Sequence, residues 1–220
     1  MDGEMARMPD LKRFARRHGL RIVTVNEMIK YRLQNERLVT RVAETRLPTP
    51  FGDMMILAYK AENYPDEHVA LVKGPIDAET PTLVRVHDQC VTGDVFASMR
   101  CDCGEQKDRA MKMIGEEGGV CLYMRQEGRG IGVHNKLRTY ELQDEGLDTV
   151  DANLALGFPA DRRDYGIGMQ ILRDIGVRKM RLITNNPAKR AGLEAYGLEV
   201  VERVSIQTEP NPHNVRYLDT

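Results

Sequence analysis

Hydrophobic positions change their period along the chain. At the start Leu11, Phe14, Ala15 and His18 fall on one helical face, and Gly19 is placed to end that helix. The run RIVTV then reads as a short buried strand. Thr24 with Glu27 has capping-box spacing for a helix through about Gln34, and the charged stretch RLQNERLVTR reads as a connector. From Val42 the period shortens to two. RVAETRLPT, FGDMMILAY, HVALVKG and TLVRVH predict four strands, the first two joined by a Pro-containing turn. Beyond Asp94 helical and strand patterns alternate. A helix is expected from Glu105 to about Glu116, then the strand VCLYM, a helix from about Gly132 to Asp144 and another over roughly Gly168 to Ile175. The strand KMRLIT, the helix AKRAGLEAY and the strand LEVVERV follow. Early strands followed by βα alternation predict an α/β fold, a mixed β-sheet with helices packed on it. The polar tail TEPNPHNVRYLDT reads as a loop or a loosely held end.

Bulk properties narrow the class. The 220 residues suffice for one ordinary core with an appendage, and the first helix–strand–helix piece is too small to be a domain. A net charge of −1 argues against a generalised nucleic-acid or membrane surface. Residues 1–46 carry a net +5 and the remainder −6, an excess that reads as a solvated face. MDGEMARMPD lacks the apolar core of a signal peptide, and no run approaches membrane-spanning length. With four cysteines and no secretory signal, a soluble protein of the reducing cytoplasm is expected.

Three of those cysteines concentrate the chemistry, in RVHDQCVTGDVFASMRCDCGEQ. Cys90, Cys101 and Cys103 supply three thiolates, one short of a closed structural zinc site, and so leave a position open for water. Three buried free cysteines are the alternative, but cysteines kept for packing rarely have polar neighbours such as Arg85, His87, Asp88, Gln89, Arg100, Asp102 and Gln106. Cys121, in GGVCLYM, reads as core. Two segments suit an anion. VCLYM runs into RQEGRGIGVHNK, where Gly128, Gly130 and Gly132 let backbone N–H groups approach a phosphate beside Arg125 and Arg129; a plain tight turn is the alternative. In LITNNPAKR, Asn186 is placed as N-cap and Pro187 as the first helical residue. Lys189 and Arg190 then fall where the helix dipole disfavours cations, which suits a bound anion or leaves an exposed pair at small cost. GFPADRRDYG reads by itself as solvated surface, and Tyr140 as an ordinary amphipathic position. The residues alone predict a zinc hydrolase with an electropositive pocket for a small phosphorylated substrate.

Taken together, RVHDQCVTGD, MRCDCGEQ, YMRQEGRGIGVHNKLRTYELQDEGLDTVDAN, LGFPADRRDYGIG and RLITNNPAK resemble GTP cyclohydrolase II, in the family's order and from about Arg41 to Thr220. The resemblance implies a homodimer with that family's fold. Its reaction opens the imidazole ring of GTP and releases formate and pyrophosphate, the first committed step of riboflavin synthesis. It also implies one zinc on Cys90, Cys101 and Cys103, with magnesium on the triphosphate. By motif, Asp161 matches the family's proton acceptor and Tyr140 a tyrosine near the metal that assists the later hydrolysis. Arg163 matches the residue acting at the α-phosphorus, where a guanidinium is better suited to electrostatic than to covalent work. GTP contacts are implied at Arg85, Val86, His87, Asp88, Gln89, Gln106, Glu127, Gly128, Arg129, Thr149, Thr184 and Lys189. Glu127 is suited to the guanine N1–H and 2-amino edge. The chain departs from the family at Asp88-Gln89, where Ser-Glu is usual, at Glu105 and Lys107 beside Gln106, and at its YLDT end. Residues 1–40 resemble instead the final segment of 3,4-dihydroxy-2-butanone 4-phosphate synthase, an enzyme often fused upstream. That enzyme's acidic motifs are absent, so no synthase activity is expected. Two rivals are a cyclohydrolase that stops at the formamide and a zinc- and nucleotide-binding module without turnover. A zinc deaminase is disfavoured because its Pro-Cys-x-x-Cys pattern is missing.

Overall fold

Three long strands, β1 (Val39–Thr49), β2 (Gly52–Ala61) and β3 (Tyr64–Lys73), form an antiparallel meander. β5 (Gly119–Met124) joins it antiparallel to β3, and β4 (Thr82–Asp88), β6 (Lys179–Ile183) and β7 (Glu199–Val204) continue the sheet in parallel. The strand order is β1-β2-β3-β5-β4-β6-β7. The expected mixed α/β sheet is therefore what the computed structural model contains. It describes the chain apart from residues 1–4, 63, 162, 164, 187–192, 194–195 and 216–220, and gives only the backbone at 26, 30, 64 and 65. The chain divides into two compact units, Met1–Arg37 and Leu38–Thr220.

In the first unit the capping logic of the sequence holds. Helix α1 (Met8–His18) ends on Gly19 at φ 62°, and α2 (Val25–Asn35) begins with the Thr24 hydroxyl accepting from the Glu27 N–H at 3.1 Å. The run RIVTV does not form a strand. Arg21 to Thr24 are irregular and Val25 opens α2, and all five are exposed, Val23 being 62% accessible. A β-branched run becomes a strand only where a neighbour takes its backbone groups.

In the second unit β5 is buried on both faces, as its unbroken apolar run requires. Cys121 points to one face, into a cluster with Leu83, Ala110, Met111, Ile114 and Ile183 under helix α4 (Cys103–Glu117). Leu122 points to the other, where a Cβ on Gly168 of helix α8 (Gly166–Ile175) would lie 3.2 Å from it. Burial pushes the Cys121 thiol up to about 12, so it is a neutral core group. Helix α6 (Gly132–Asp144) has the expected bounds. Three shorter helices are not legible in the periodicity: α3 (Val91–Asp94), the single turn α5 (Glu127–Gly130) and α7 (Thr149–Ala155). The signal for α7 was Asp148, whose side chain caps the Asp151 N–H at 2.8 Å. The proposed helix AKRAGLEAY falls largely outside the described residues. The described part of the tail, residues 208–215, is better held than its composition suggests, because Thr208 donates to Asp102 at 3.0 Å and Asn214 is buried.

The register of β4 on β5 pairs Asp88 with Met124, so the loops leaving these two parallel strands emerge side by side. Clefts at the carboxyl ends of parallel strands are where α/β sheets bind ligands. His68 of β3 secures this corner: it is 4% exposed and its Nδ1 accepts the Arg125 N–H at 3.2 Å. Burial holds its pKa below the ordinary 6.5. The folded protein thus binds fewer protons here than the unfolded chain, and the stabilisation is complete above about pH 6.5 and lost as pH falls through the depressed folded value. His68→Gln keeps an acceptor but does not titrate. Its Tm is expected to fall less steeply below pH 6.5 than that of the native protein, and parallel melting curves against pH would exclude this role.

Candidate metal centre and adjoining cavity

Cys90 stands at the N-cap of α3, two residues past the end of β4, and Cys103 is the first residue of α4. The two helix starts bring Cys90, Cys101 and Cys103 together, with the ligand atoms of all three within 4.8 Å of one another. Cys90 Sγ lies 3.6 Å from Cys101 Sγ. A tetrahedron with metal–sulfur bonds of about 2.3 Å has edges of about 3.8 Å, so the sulfurs are already spaced for one metal ion. Two glycines make this approach possible. A Cβ on Gly104 would lie 2.3 Å from the Gly93 carbonyl oxygen, so α3 and α4 touch backbone to backbone. A Cβ on Gly93 would meet Cys101 Sγ at 3.1 Å and Cys90 Sγ at 3.3 Å. Gly93→Ala is therefore expected to weaken metal affinity about 10-fold or more, in the range of other changes next to metal ligands. A chelator competition in which the variant matches the native protein would contradict this.

The thiols share their protons unequally. Hydrogen bonds from Cys101 and Cys103, joined by one from Lys136, hold the Cys90 thiol far below the ordinary cysteine range despite its burial. Bonds to Cys101 and to that Cys90 thiolate drive Cys103 upward. Three thiolates this close need a cation, and their soft donor set with one open position suits a metal ion that binds water or substrate.

The groups around Cys90 are tightly arranged. Its N–H donates to Asp94 at 2.9 Å, and Asp94 also takes His87 Nε2 at 2.9 Å and the Tyr123 hydroxyl at 2.8 Å. Burial opposes the charge on Asp94, but these donors outweigh it and leave the carboxyl below its ordinary range. Lys136 of α6 reaches Cys90 Sγ at 3.0 Å and Glu127 at 2.7 Å. Burial alone would lower the pKa of this lysine; its bonds to Glu127 and Cys90 raise it instead. The other Glu127 oxygen accepts the Val91 N–H at 2.7 Å. This carboxylate, suited by chemistry to a guanine edge, is thus engaged on both oxygens by the protein itself. Lys136, Asp94 and Thr92 were missed from sequence. For Lys136 the one signal was its spacing, four residues before Tyr140 and so on the same helical face.

One cavity is lined by the three cysteines together with Asp88, Gln89, Glu127, Gly128, Arg129, Tyr140, Thr149 and Arg163. The Tyr140 hydroxyl lies 3.1 Å from that of Thr92. Gly128 and Arg129 both adopt left-handed backbone, at φ 60° and 58°, which turns the chain sharply between β5 and α6. The reading of this cluster as solvated surface holds for Asp161, which is exposed, but not for Arg163, whose side chain is 18% exposed. It donates to Asp88 at 2.8 Å and grips Asp161 through its Nε at 3.0 Å. The Tyr165 hydroxyl donates to Asp88 at 2.9 Å. The departure at Asp88 therefore has a structural use, as an anchor for Arg163 and Tyr165. Burial works against the charges of Asp161 and Arg163, yet their mutual bonds lower the one pKa and raise the other. Val86 and Asp161 line a second, more apolar cavity, which Arg163 borders as well.

The remaining sequence candidates sit beneath or beyond these walls. Arg85 is buried, donating to Ile183 O at 3.1 Å and to Gln106 at 2.8 Å. His87 is 2% exposed and Thr184 is equally buried, with its hydroxyl accepting the Asn186 N–H at 3.1 Å. Lys189, Arg190, Pro187 and Arg162 lie outside the described residues. Among the described residues, no helix is long and apolar enough to cross a membrane.

Comparison with known proteins matches this arrangement. Residues 40–205 fit the family model described as GTP cyclohydrolase II. Riboflavin biosynthesis protein RibBA of Aquifex aeolicus is 57% identical over 219 residues, covering 99% of this chain and 54% of that protein. The protein of the same name from Bacillus cereus is 56% identical over 220 residues, covering 100% of this chain and 55% of that protein. The chain thus spans about half the length of the curated relatives it matches. A crystal structure of RibBX, a two-domain 3,4-dihydroxy-2-butanone 4-phosphate synthase from A. baumannii, superposes with a TM-score of 0.55 at 28% identity. That match covers 94% of this chain and 52% of the other. With three thiols gathered at the ends of two helices, and a family model that spans most of the sequence, the chain belongs to the GTP cyclohydrolase II family.

Proposed function

We propose that the chain hydrolyses GTP to 2,5-diamino-6-(5-phosphoribosylamino)pyrimidin-4-one, formate and pyrophosphate, the first committed step of riboflavin synthesis. The observation that carries this reading is that the three thiols and Arg163 face one cavity. Zinc on Cys90, Cys101 and Cys103 would supply Lewis-acid activation of water at neutral pH. The protein's own residues supply the rest. Gly128, Arg129, Asp88, Gln89 and Thr149 form the wall that takes the nucleotide. Arg163, held between Asp88 and Asp161, neutralises charge on the departing pyrophosphate. Asp161, which borders the adjoining cavity beside Arg163, accepts a proton, and the Tyr140 hydroxyl in the thiol-lined cavity serves the second hydrolysis. Arg85, Val86, His87, Gln106 and Thr184 back this wall, and Lys189 adds a cation for the phosphates. Magnesium accompanies the triphosphate. The working form is a cytoplasmic homodimer, and residues 1–40 belong with a synthase domain fused upstream in the parent protein.

The test is mass spectrometry of the products after the zinc-loaded protein is incubated with GTP and magnesium. Diaminopyrimidine, formate and pyrophosphate are expected. A formamide product would limit the activity to the first hydrolysis. Unchanged GTP bound to zinc-loaded protein would replace the reading with nucleotide binding alone.

A further inference from the structure

Cys90 differs from the other two thiols in receiving a charged donor. Lys136 Nζ lies 3.0 Å from its sulfur, with the lysine side chain 11% exposed. The lysine is held there by Glu127 at 2.7 Å, and the second oxygen of that carboxylate takes the N–H of Val91, the residue after Cys90. The Glu127–Lys136 pair therefore grips Cys90 from both sides, sulfur and following peptide. Helix α6 supplies the lysine and the left-handed turn at Gly128 supplies the carboxylate, so the contact joins two elements that periodicity treats as unrelated. Three thiolates on a divalent ion leave one net negative charge. A buried ammonium beside one sulfur offsets it, and withdraws electron density from that sulfur alone.

We infer that Lys136 is a positioning residue of the metal centre. Its hydrogen bond to Cys90 makes that ligand a weaker donor than Cys101 and Cys103 and keeps the bound metal more electrophilic. Glu127 contributes to the centre by holding Lys136 in place. The inference rests on the zinc reading of the three-cysteine site. A buried lysine that merely fills space beside a thiol predicts no change in the electronic structure of the metal–sulfur bonds.

Cobalt(II) loaded in place of zinc gives thiolate-to-metal charge-transfer bands that report sulfur electron density directly. In Lys136→Met these bands are expected to move to longer wavelength, because the Cys90 lone pairs rise in energy once the donor is removed. With zinc, kcat is expected to fall roughly 10- to 100-fold while KM changes less. Lys136→Met leaves Glu127 buried without its cation, which can unfold the protein. The double variant Lys136→Met/Glu127→Gln removes the pair together and is expected to show the same shift. Lys136→Arg, which retains an N–H donor, is expected to restore the native spectrum. Bands unmoved in both the single and the double variant would overturn the inference while leaving the metal reading intact. A native protein that takes up no cobalt would overturn both.

Discussion

Cys101→Ser is expected to lose bound metal and ring opening together. A serine hydroxyl is a poor ligand for a soft divalent ion, and two thiolates cannot hold the position that three define. Metal content is expected to fall from one per chain towards zero. Formate release is expected to fall by roughly 10³-fold or more, the scale of losing a Lewis acid that lowers a barrier by several kcal/mol. The control is Cys121→Ser, at a position that is 1% exposed within the apolar cluster under α4. That variant buries a hydroxyl and lowers Tm, yet keeps its metal. Formate release at the native rate from metal-free Cys101→Ser protein would sink the zinc-dependent mechanism.

Arg163→Lys is the second large effect. One ammonium cannot grip Asp161 through two nitrogens and still reach Asp88 at 2.8 Å, so the cation is misplaced at the cavity wall. Asp88, whose side chain is 8% exposed, keeps the Tyr165 hydroxyl but loses its charged partner. Removing one member of a buried pair costs about 3–5 kcal/mol where burial is complete, so a lower Tm is expected as well. The kinetic signature is a kcat reduced roughly 10²- to 10³-fold, the range for a lost electrostatic contact to a developing charge, with a smaller change in KM. Pyrophosphate release should fall at least as far as formate release. A covalent nucleotide adduct on Arg163, trapped during turnover, would overturn the electrostatic role in favour of a nucleophilic one.

Where local pattern carries the information, it was read closely. α6 has the bounds its apolar spacing predicts, and the runs around Ile56, Val69, Val84 and Leu122 all became strands. RIVTV shows the limit, because β-propensity describes a side chain's fit to a sheet and the sheet must first be there. The site divides in the same way. Cys-x-Cys with a third cysteine nearby is a local statement about ligands, and it marks the three thiols that could hold a metal without reference to the fold. Asp161 and Arg163 are equally close in sequence, yet from residues alone they read as surface. Asp161 is in fact exposed, and the partial burial of Arg163 depends on Asp88, 75 positions away.

By itself, then, the amino-acid sequence determined the seven strands of the sheet in their order, the longer helices between them, the three thiols that can hold a metal, and the family the chain belongs to. Only the tertiary structure decided that Arg163 and Tyr165 share Asp88, that Glu127 faces Lys136, and that Lys136 donates to Cys90. Spacing along the chain sets which groups a helix or strand presents together. The pairing of one buried charge with another is set by which loops leave neighbouring parallel strands, here β4 and β5, and by the desolvation cost of leaving either charge alone.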